Sequence, residues 1–468
     1  MKKLFLAATI LGLAATSCRK IEVDGTTTVV TGGGGTTTEN TILEGRIIEN
    51  RTLKAQYTYK LRGLVYVTNG AVLTIEPGTK IVGETGKSGG LIICRSAKII
   101  ADGTPDKPIV FTSEAATPSS GDWAGLVILG NAPTNSSFNG QAGIGEIEGG
   151  INNSDGLGLY GLGASSNPAD NSGVLRYVRI EYAGYAFLPD KEINGLTLGG
   201  VGNQTIIDYV QVSRANDDSF EWFGGTVNCK HLIAYKGLDD DWDVDNGFSG
   251  KIQFGISLRD SSVADISGSN GFEVDNDASG STNNPQTSAV FSNMTVIGPR
   301  ATLSNIGNSN FKRAMHLRRN SSISIFNSVF MGWPTGLLVD ASTGRPIDLN
   351  ISGGSMVIAN TILASNNTQF SYTASASAPT GWTTADLTNY FNLPANGNSV
   401  LATNNDVALT APFKYDNTVD FNPAAGSPAL TGATFTSPKL ATGFTAVTHK
   451  GAAASGDTWW KTWTKFGL

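Results

Sequence analysis

Charged residues are scarce in this chain, at 15% against about 25% in an ordinary soluble protein. That shortage excludes coiled coils and helical bundles, which need long runs of Glu, Lys, Leu and Ala. It also excludes basic nucleic-acid binders, so no nucleic-acid partner is expected. Cysteine is nearly missing, with three in 468 residues, too few for a disulfide-stapled exported scaffold. Histidine also occurs only three times, and no serine triad is supported. Beyond the N-terminus no apolar run is long enough to cross a bilayer. What the chain has in excess is glycine, 57 residues, beside 40% hydrophobic residues. It is therefore a folding chain that turns often, and its length suits either several domains or one repeat domain.

Residues 1–17 carry Lys2 and Lys3, a short apolar stretch from Leu4 to Ala15, and small residues before Cys18. This resembles a bacterial lipoprotein signal of the Bacteroidota kind, in which Cys18 becomes the lipidated first residue; an ordinary secretory signal is the alternative. The resemblance implies an anchor in outer-membrane lipid through Cys18, with the body facing the cell exterior. Residues 18–41 read as a flexible Gly/Thr tether, because their composition offers no core. Cys94 and Cys229 lie in apolar strand-like runs and read as buried small hydrophobes, a disulfide being the alternative.

Seven apolar, alternating runs can be laid on one another, starting at Val174, Thr205, Cys229, Lys251, Ala289, Ser324 and Val357. Tyr177, Tyr209, His231, Phe254, Asn293, Asn327 and Asn360 then share one register. Strand periodicity at this repeat, with no helical segment between, predicts an all-β solenoid: a single-stranded right-handed parallel β-helix over 42–448. A β-sandwich is the alternative, but hairpin dipeptides at short spacing are not the rule here. Asn293, Asn327 and Asn360 are expected to form an amide ladder along the stack, or else to be ordinary turn residues. Residues 42–62 are expected to cover the N-terminal end. Residues 375–420 look like long irregular coils. Residues 449–468 form an aromatic cap or tail, with Trp459, Trp460, Trp463 and Phe466 over the C-terminal end or back along the side; a sugar-stacking platform is the alternative for these four.

The segments GLVYVTNGAVLTIEPGTKIVGETG, GDWAGLVILGNAP, LRYVRIEYAG, DFNPAAGSPAL and the tail THKGAAASGDTWWKTWTKF resemble a family of Bacteroidota surface lipoproteins with a right-handed parallel β-helix of the pectate-lyase-like superfold. The resemblance implies the fold, and no established activity comes with it.

Negative charge is localised. From Asp217 to Asp277 there are 13 carboxylates and four cations, Lys230, Lys236, Lys251 and Arg259. The segments DSFEWFG, DWDVDNG and GFEVDND align, which stacks Phe220, Trp242 and Phe272, and on the next position Glu221, Asp243 and Glu273. Asp245 and Asp275 stack on the outer face. Carboxylates one rung apart repel and require protonation, a cation or a metal. His316 and Arg318 of RAMHLRRN fall at the carboxylate positions of the following coil.

Calcium suits such a set of oxygens. Asp239, Asp241, Asp243 and Asp245 alternate along one loop and are the metal candidates, a solvated acidic turn being the alternative. Two functions follow. The first is a non-catalytic module that binds a glycan or an outer-membrane protein complex, with Glu221, Trp222, Trp242, Glu273 and Asp275 as binding candidates and Tyr235 as a further stacking aromatic, a place in the core being the alternative for the three aromatics. The second is a polysaccharide-degrading hydrolase or Ca²⁺-dependent lyase. For it, Asp217-Asp218 and Asp239-Asp240-Asp241, one coil apart, resemble the aspartate pair of polygalacturonase-like hydrolases. Asp218, Asp240 and Asp241 are then the catalytic candidates, although the Gly-His-Gly and Arg-Ile-Lys segments of those hydrolases are absent. Lys236, Arg259 and Arg313 are candidate lyase bases.

Overall fold

The computed structural model describes residues 39–468 except 87, 187–191 and 306, together with the backbone of 19–23 and 26–30. Two compact units are distinguished, 1–41 and 42–468. In the first, Arg19–Val23 pairs antiparallel with Thr26–Val30, so these parts of the expected tether form a hairpin. The signal segment 1–17, Cys18 and residues 24–25 and 31–38 of the tether lie outside the described residues.

The second unit is a parallel β-helix. Its strands stack in three columns, which the chain visits in turn. Sheet one contains Gly125–Leu129, Leu196–Gly199, Phe220–Phe223, Trp242–Asp245, Phe272–Val274, Arg313–Arg318, Thr335–Asp340 and Thr368–Thr373, each parallel to the next. Sheets two and three are joined through single bent strands. Gly173–Glu181, for example, pairs with Ile206–Ser213 on both sides of Tyr177. A parallel pair needs a long crossover, and here the rest of each coil supplies it.

The interior of sheet one is a column of side chains one rung apart: Leu126, Leu196, Phe220, Trp242, Phe272, Met315 and Leu337 share a register and none is exposed. Burying each contributes about 1.5–3 kcal/mol. Only vertical stacking achieves this, because a lone coil has no second layer. Trp222 and Trp242 belong to this core, both at 0% exposure, with rings 6.4 Å apart. They were candidates for stacking on a sugar; the inward side of the strand claims them instead, and Tyr235 is fully buried as well.

The register residues sit at the bend between sheets two and three. Tyr177, Tyr209, His231, Phe254, Asn293, Asn327 and Asn360 all have φ between 49° and 63°. That left-handed conformation costs a residue other than Gly or Asn roughly 1–2 kcal/mol. The four bulky residues recover it by stacking, with centroids at 4.5, 4.2 and 5.1 Å for successive pairs; each such pair contributes about 0.5–1.5 kcal/mol. The three asparagines adopt this region readily. Their amides do not bond to one another as a ladder. Asn293 donates to the His449 carbonyl (2.9 Å), and Asn327 donates to the Thr434 carbonyl and accepts from its N–H, both at 3.0 Å. Asn360 donates to the Thr434 hydroxyl (2.7 Å). The unfilled partner for these amides is the C-terminal segment, which the local sequence pattern does not reveal.

That segment runs back along the side and not over the end. Gln211 grips Lys465, and Gln253 grips Thr445, each amide both donating to and accepting from one residue's backbone. Trp463 stands edge-on to Tyr177 and Tyr209, and Phe466 to Tyr235. The last coil is covered by the helix Thr384–Phe391, capped by Thr383 and Asp386, with Phe391 against Phe370 at 5.0 Å. Residues expected to be irregular thus include a capping helix. At the other end, residues 42–62 are not a separate lid. Ile42–Ile47 is the first rung and pairs parallel with Thr58–Val67. Cys94 and Cys229 are free and buried. No helix among the described residues is long and apolar enough to cross a membrane.

Candidate metal centre

The outward-facing row of sheet one changes character along the stack. Its register runs Tyr66, Ile92, Val127, Thr197, Glu221, Asp243, Glu273, His316, Leu338. The first three are apolar and are covered by an excursion between Leu129 and Gly173, which contributes Ile147, Ile151 and Tyr160. Tyr66 donates to the Ile151 carbonyl at 2.7 Å. Where the covering ends, the row turns acidic.

The loops entering sheet one add more carboxylates. Asp218 accepts the Asp240 N–H at 2.8 Å, and Asp240 in turn accepts the Asn270 N–H. Each loop aspartate thus holds the backbone of the next loop up. Asp218 and Asp240 are vertical neighbours, as the repeat requires. Asp241 turns the other way. It pairs with Arg259 at 2.9 Å, both side chains wholly buried, and Arg259 also donates to the Leu238 and Asp239 carbonyls. Arg259 is therefore committed to holding the 238–241 loop, and its place in the core removes it as a base.

Three groups of carboxylates have oxygens within 4.8 Å of one another: Asp217, Asp218 and Asp239; Asp218, Glu221 and Asp243; and Asp240, Asp243 and Glu273. Asp218 and Asp243 each belong to two. Of the four loop candidates, Asp239 and Asp243 enter these groups. Asp241 and Asp245 enter none of them: Asp241 is turned into the core by Arg259, and Asp245 lies one strand step beyond Asp243, beside Asp275. The oxygens gather across coils instead. Asp217, Asp218, Glu221, Asp239 and Asp243 line a cleft of about 430 Å³ together with Glu148, Glu192 and Asp265, and among the described residues no Lys or Arg lines it.

Burial pushes the Asp218, Asp217, Glu221, Asp240 and Asp243 carboxyls well above the ordinary range, and their neighbours push them further: Asp217 on Asp218, Glu148 on Asp217 and Glu221, Asp239 on Asp240, Glu273 on Asp243. Asp239, buried and beside Asp265, is raised to about 6. Asp245, buried beside Asp275, is raised to about 8. Asp241, raised by burial against the pull of Arg259, lies at about 6. At the far end the row is neutralised. Arg318 donates to Asp275 at 2.8 and 3.0 Å and to Glu273, and Arg319 donates to Asp275 at 2.7 Å. His316 lies 3.3 Å from Glu273 and 3.6 Å from Asp340. Burial opposes ionisation of Glu273, but the His316 hydrogen bond and Arg318 outweigh it and hold its pKa below the ordinary value.

Glu148 and Asn194 were not among the expected residues. Asn194 bridges the two acidic side chains, donating to Glu148 at 3.4 Å and to Glu221. Both come from segments outside the aligned repeats, so periodicity carries no sign of them.

The class these features define is a parallel β-helix with an acidic cleft on one sheet. Residues 45–406 match the family described as the pectate-lyase like beta helix domain, and the chain belongs to that family. No curated protein matches the chain.

Proposed function

We propose that the protein is a non-catalytic binding module whose acidic cleft holds Ca²⁺ and presents it to a glycan. The observation that carries this reading is the cleft's unbalanced charge. Three groups of carboxylates, each joining two successive coils, have oxygens within 4.8 Å of one another, no Lys or Arg among the described residues lines the cleft, and a divalent ion with six to eight oxygen ligands relieves the repulsion. Asp218 and Asp243, each shared by two groups, would bridge neighbouring ions. Bound Ca²⁺ with open positions takes hydroxyl or carboxylate oxygens of a sugar. One observation favours the second reading, a polysaccharide-degrading enzyme. Asp240, held up, and Glu273, held down, share one group, and such opposed carboxyls are the pattern of an acid and its base. The sequence ending at Cys18 supports an outer-membrane lipid anchor with the module facing the cell exterior. A glycan array read with and without Ca²⁺, beside a reducing-end assay on the bound glycans, tests the choice. Ca²⁺-dependent retention without new ends supports the module; release of ends or of unsaturated product overturns it in favour of the enzyme.

A further inference from the structure

The turns that leave three successive rungs of sheet one, after Val274, Arg318 and Asp340, meet around a second pocket. It has a volume of about 220 Å³ and is lined by Arg345, Asn320, Asn350, Gln286 and the segment 282–284. Among the described residues it has no carboxylate and no aromatic ring in its lining, and it shares no residue with the acidic cleft.

The floor is built from buried amides. Asn320 and Asn350 are 2% and 4% exposed. Asn320 Oδ1 accepts from Gln286 Nε2 at 3.3 Å, from Arg345 Nη1 at 3.0 Å and from Asn350 Nδ2 at 3.1 Å. Asn350 Oδ1 accepts from the same Arg345 Nη1 at 2.6 Å. The neighbouring loop is fixed as well, because its Ser281 carbonyl accepts from Asn320 Nδ2 at 2.6 Å and its Gly280 carbonyl from the Arg345 N–H at 2.9 Å. Neutral oxygens therefore hold the guanidinium in place, and no described carboxylate pairs with it. Arginine does not lose its proton in a protein, so this charge stands uncompensated. Nη1 is spent on the two amides. Nε and Nη2, the other edge of the fork, donate to nothing among the described residues, and solvent reaches both.

We propose that this pocket binds a small hydroxy acid whose carboxylate Arg345 takes side-on through Nε and Nη2. The protein uses that edge in the same way elsewhere. Arg318 Nε and Nη2 donate to the two oxygens of Asp275 at 2.8 and 3.0 Å, and Arg62 takes Glu84 through the same two atoms at 2.7 and 3.2 Å. The planar fork matches a carboxylate in spacing and charge. The amides fix its plane before a ligand arrives, so the ordering cost does not fall on binding. Past the carboxylate the ligand meets the Thr282 hydroxyl and the Asn283 amide, whose side chains have no partner among the described residues. Hydroxyl groups suit that mouth, and without a ring to stack on, an aromatic acid does not. The volume keeps the ligand small.

The site does not rest on the Ca²⁺ reading, and work in chelator keeps the two apart. Saturation-transfer NMR on the full chain is titrated with lactate, glycerate and gluconate, and with sorbitol as the uncharged counterpart. The expected result is transfer to C–H protons of at least one of the acids and none to sorbitol. The dissociation constant should rise about tenfold or more in Arg345→Gln, and about fivefold in Arg345→Lys, which keeps the charge and loses the fork. Thr282→Val should raise it about threefold; this side chain holds nothing in the fold, so the variant stays informative if the Arg345 substitutions loosen the turn. No transfer from any of the three acids overturns the proposal, as does equal transfer from sorbitol. An unchanged constant in both Arg345 variants or in Thr282→Val does the same. Displacement of the acid by an equal concentration of inorganic phosphate overturns the carboxylate assignment, since the pocket would then be a general anion site.

Discussion

Replacing Asp243 by Asn should make the metal-free protein more stable and the calcium-treated protein less responsive, a reversal that an ordinary core or surface substitution does not produce. Asp243 belongs to two of the three carboxylate groups, with oxygens within 4.8 Å of those of Asp218, Glu221, Asp240 and Glu273. Two unit charges at that distance repel by about 3.5 kcal/mol at an effective dielectric of about 20. Arg318 and His316 already compensate Glu273, so the uncompensated neighbours are Asp218, Glu221 and Asp240. Solvent reaches the cleft, and we discount the figure to about 2 kcal/mol. The sign follows from linkage. The folded-state pKa of Asp243 is raised, so the associated stability is complete below the unfolded pKa of about 3.9 and is lost as pH rises through the folded value. The gain from Asp243→Asn should therefore be small near about pH 3.5 and close to its full value near pH 8. Denaturant unfolding followed by tryptophan fluorescence suits the test, because Trp222 and Trp242 lie fully buried in the strands behind these carboxylates. Ca²⁺ at about 100 times its dissociation constant should add roughly 2.7 kcal/mol to the wild type and less than half of that to the variant. A variant less stable than wild type in chelator near pH 8, or an unchanged response to Ca²⁺, refutes the reasoning.

Other consequences are simpler to check. The wild type in chelator should be more stable near pH 5.5 than near pH 8, because Asp239 and Asp245 have pKa values raised to about 6 and about 8 and their ionisation disfavours the folded state; excess Ca²⁺ should flatten this slope in thermal melts. Arg318→Met leaves Glu273 and the buried Asp275 without their main partner and should cost about 3 kcal/mol near pH 7 by denaturant titration; a cost below about 1 kcal/mol contradicts the role given to Arg318. Asp241→Asn strands the wholly buried Arg259 and should cost about 3–5 kcal/mol, much of it recovered by adding Arg259→Met. Asn327→Ala removes both bonds to Thr434 and should cost about 1–3 kcal/mol, with earlier proteolysis of the tail read by mass spectrometry.

The repeat was legible because one rung constrains two positions at once. An inward residue must stack, and the bend residue must tolerate a left-handed backbone, so Tyr177 through Asn360 could be aligned from the sequence. The same alignment placed Glu221, Asp243, Glu273 and His316 in one row, and the parallel register brings them there. Side-chain direction was less legible. Asp241 and Asp243 alternate along one loop, yet Arg259 draws Asp241 into the interior. Trp222 and Trp242 lie beside carboxylates in sequence, but period-two alternation turns them to the core. Glu148 reaches the cleft from an excursion of irregular length, and the tail meets Gln211 and Gln253 from about two hundred residues or more away. Neither contact has a period that a sequence could display.

Calcium titration calorimetry on the folded full chain near pH 7.5, with Asp243→Asn alongside, tests the metal centre most directly. Saturable binding of at least one ion per chain, weakened in the variant, is the expected result. No heat above dilution, or equal binding by the two proteins, would contradict the proposed metal centre.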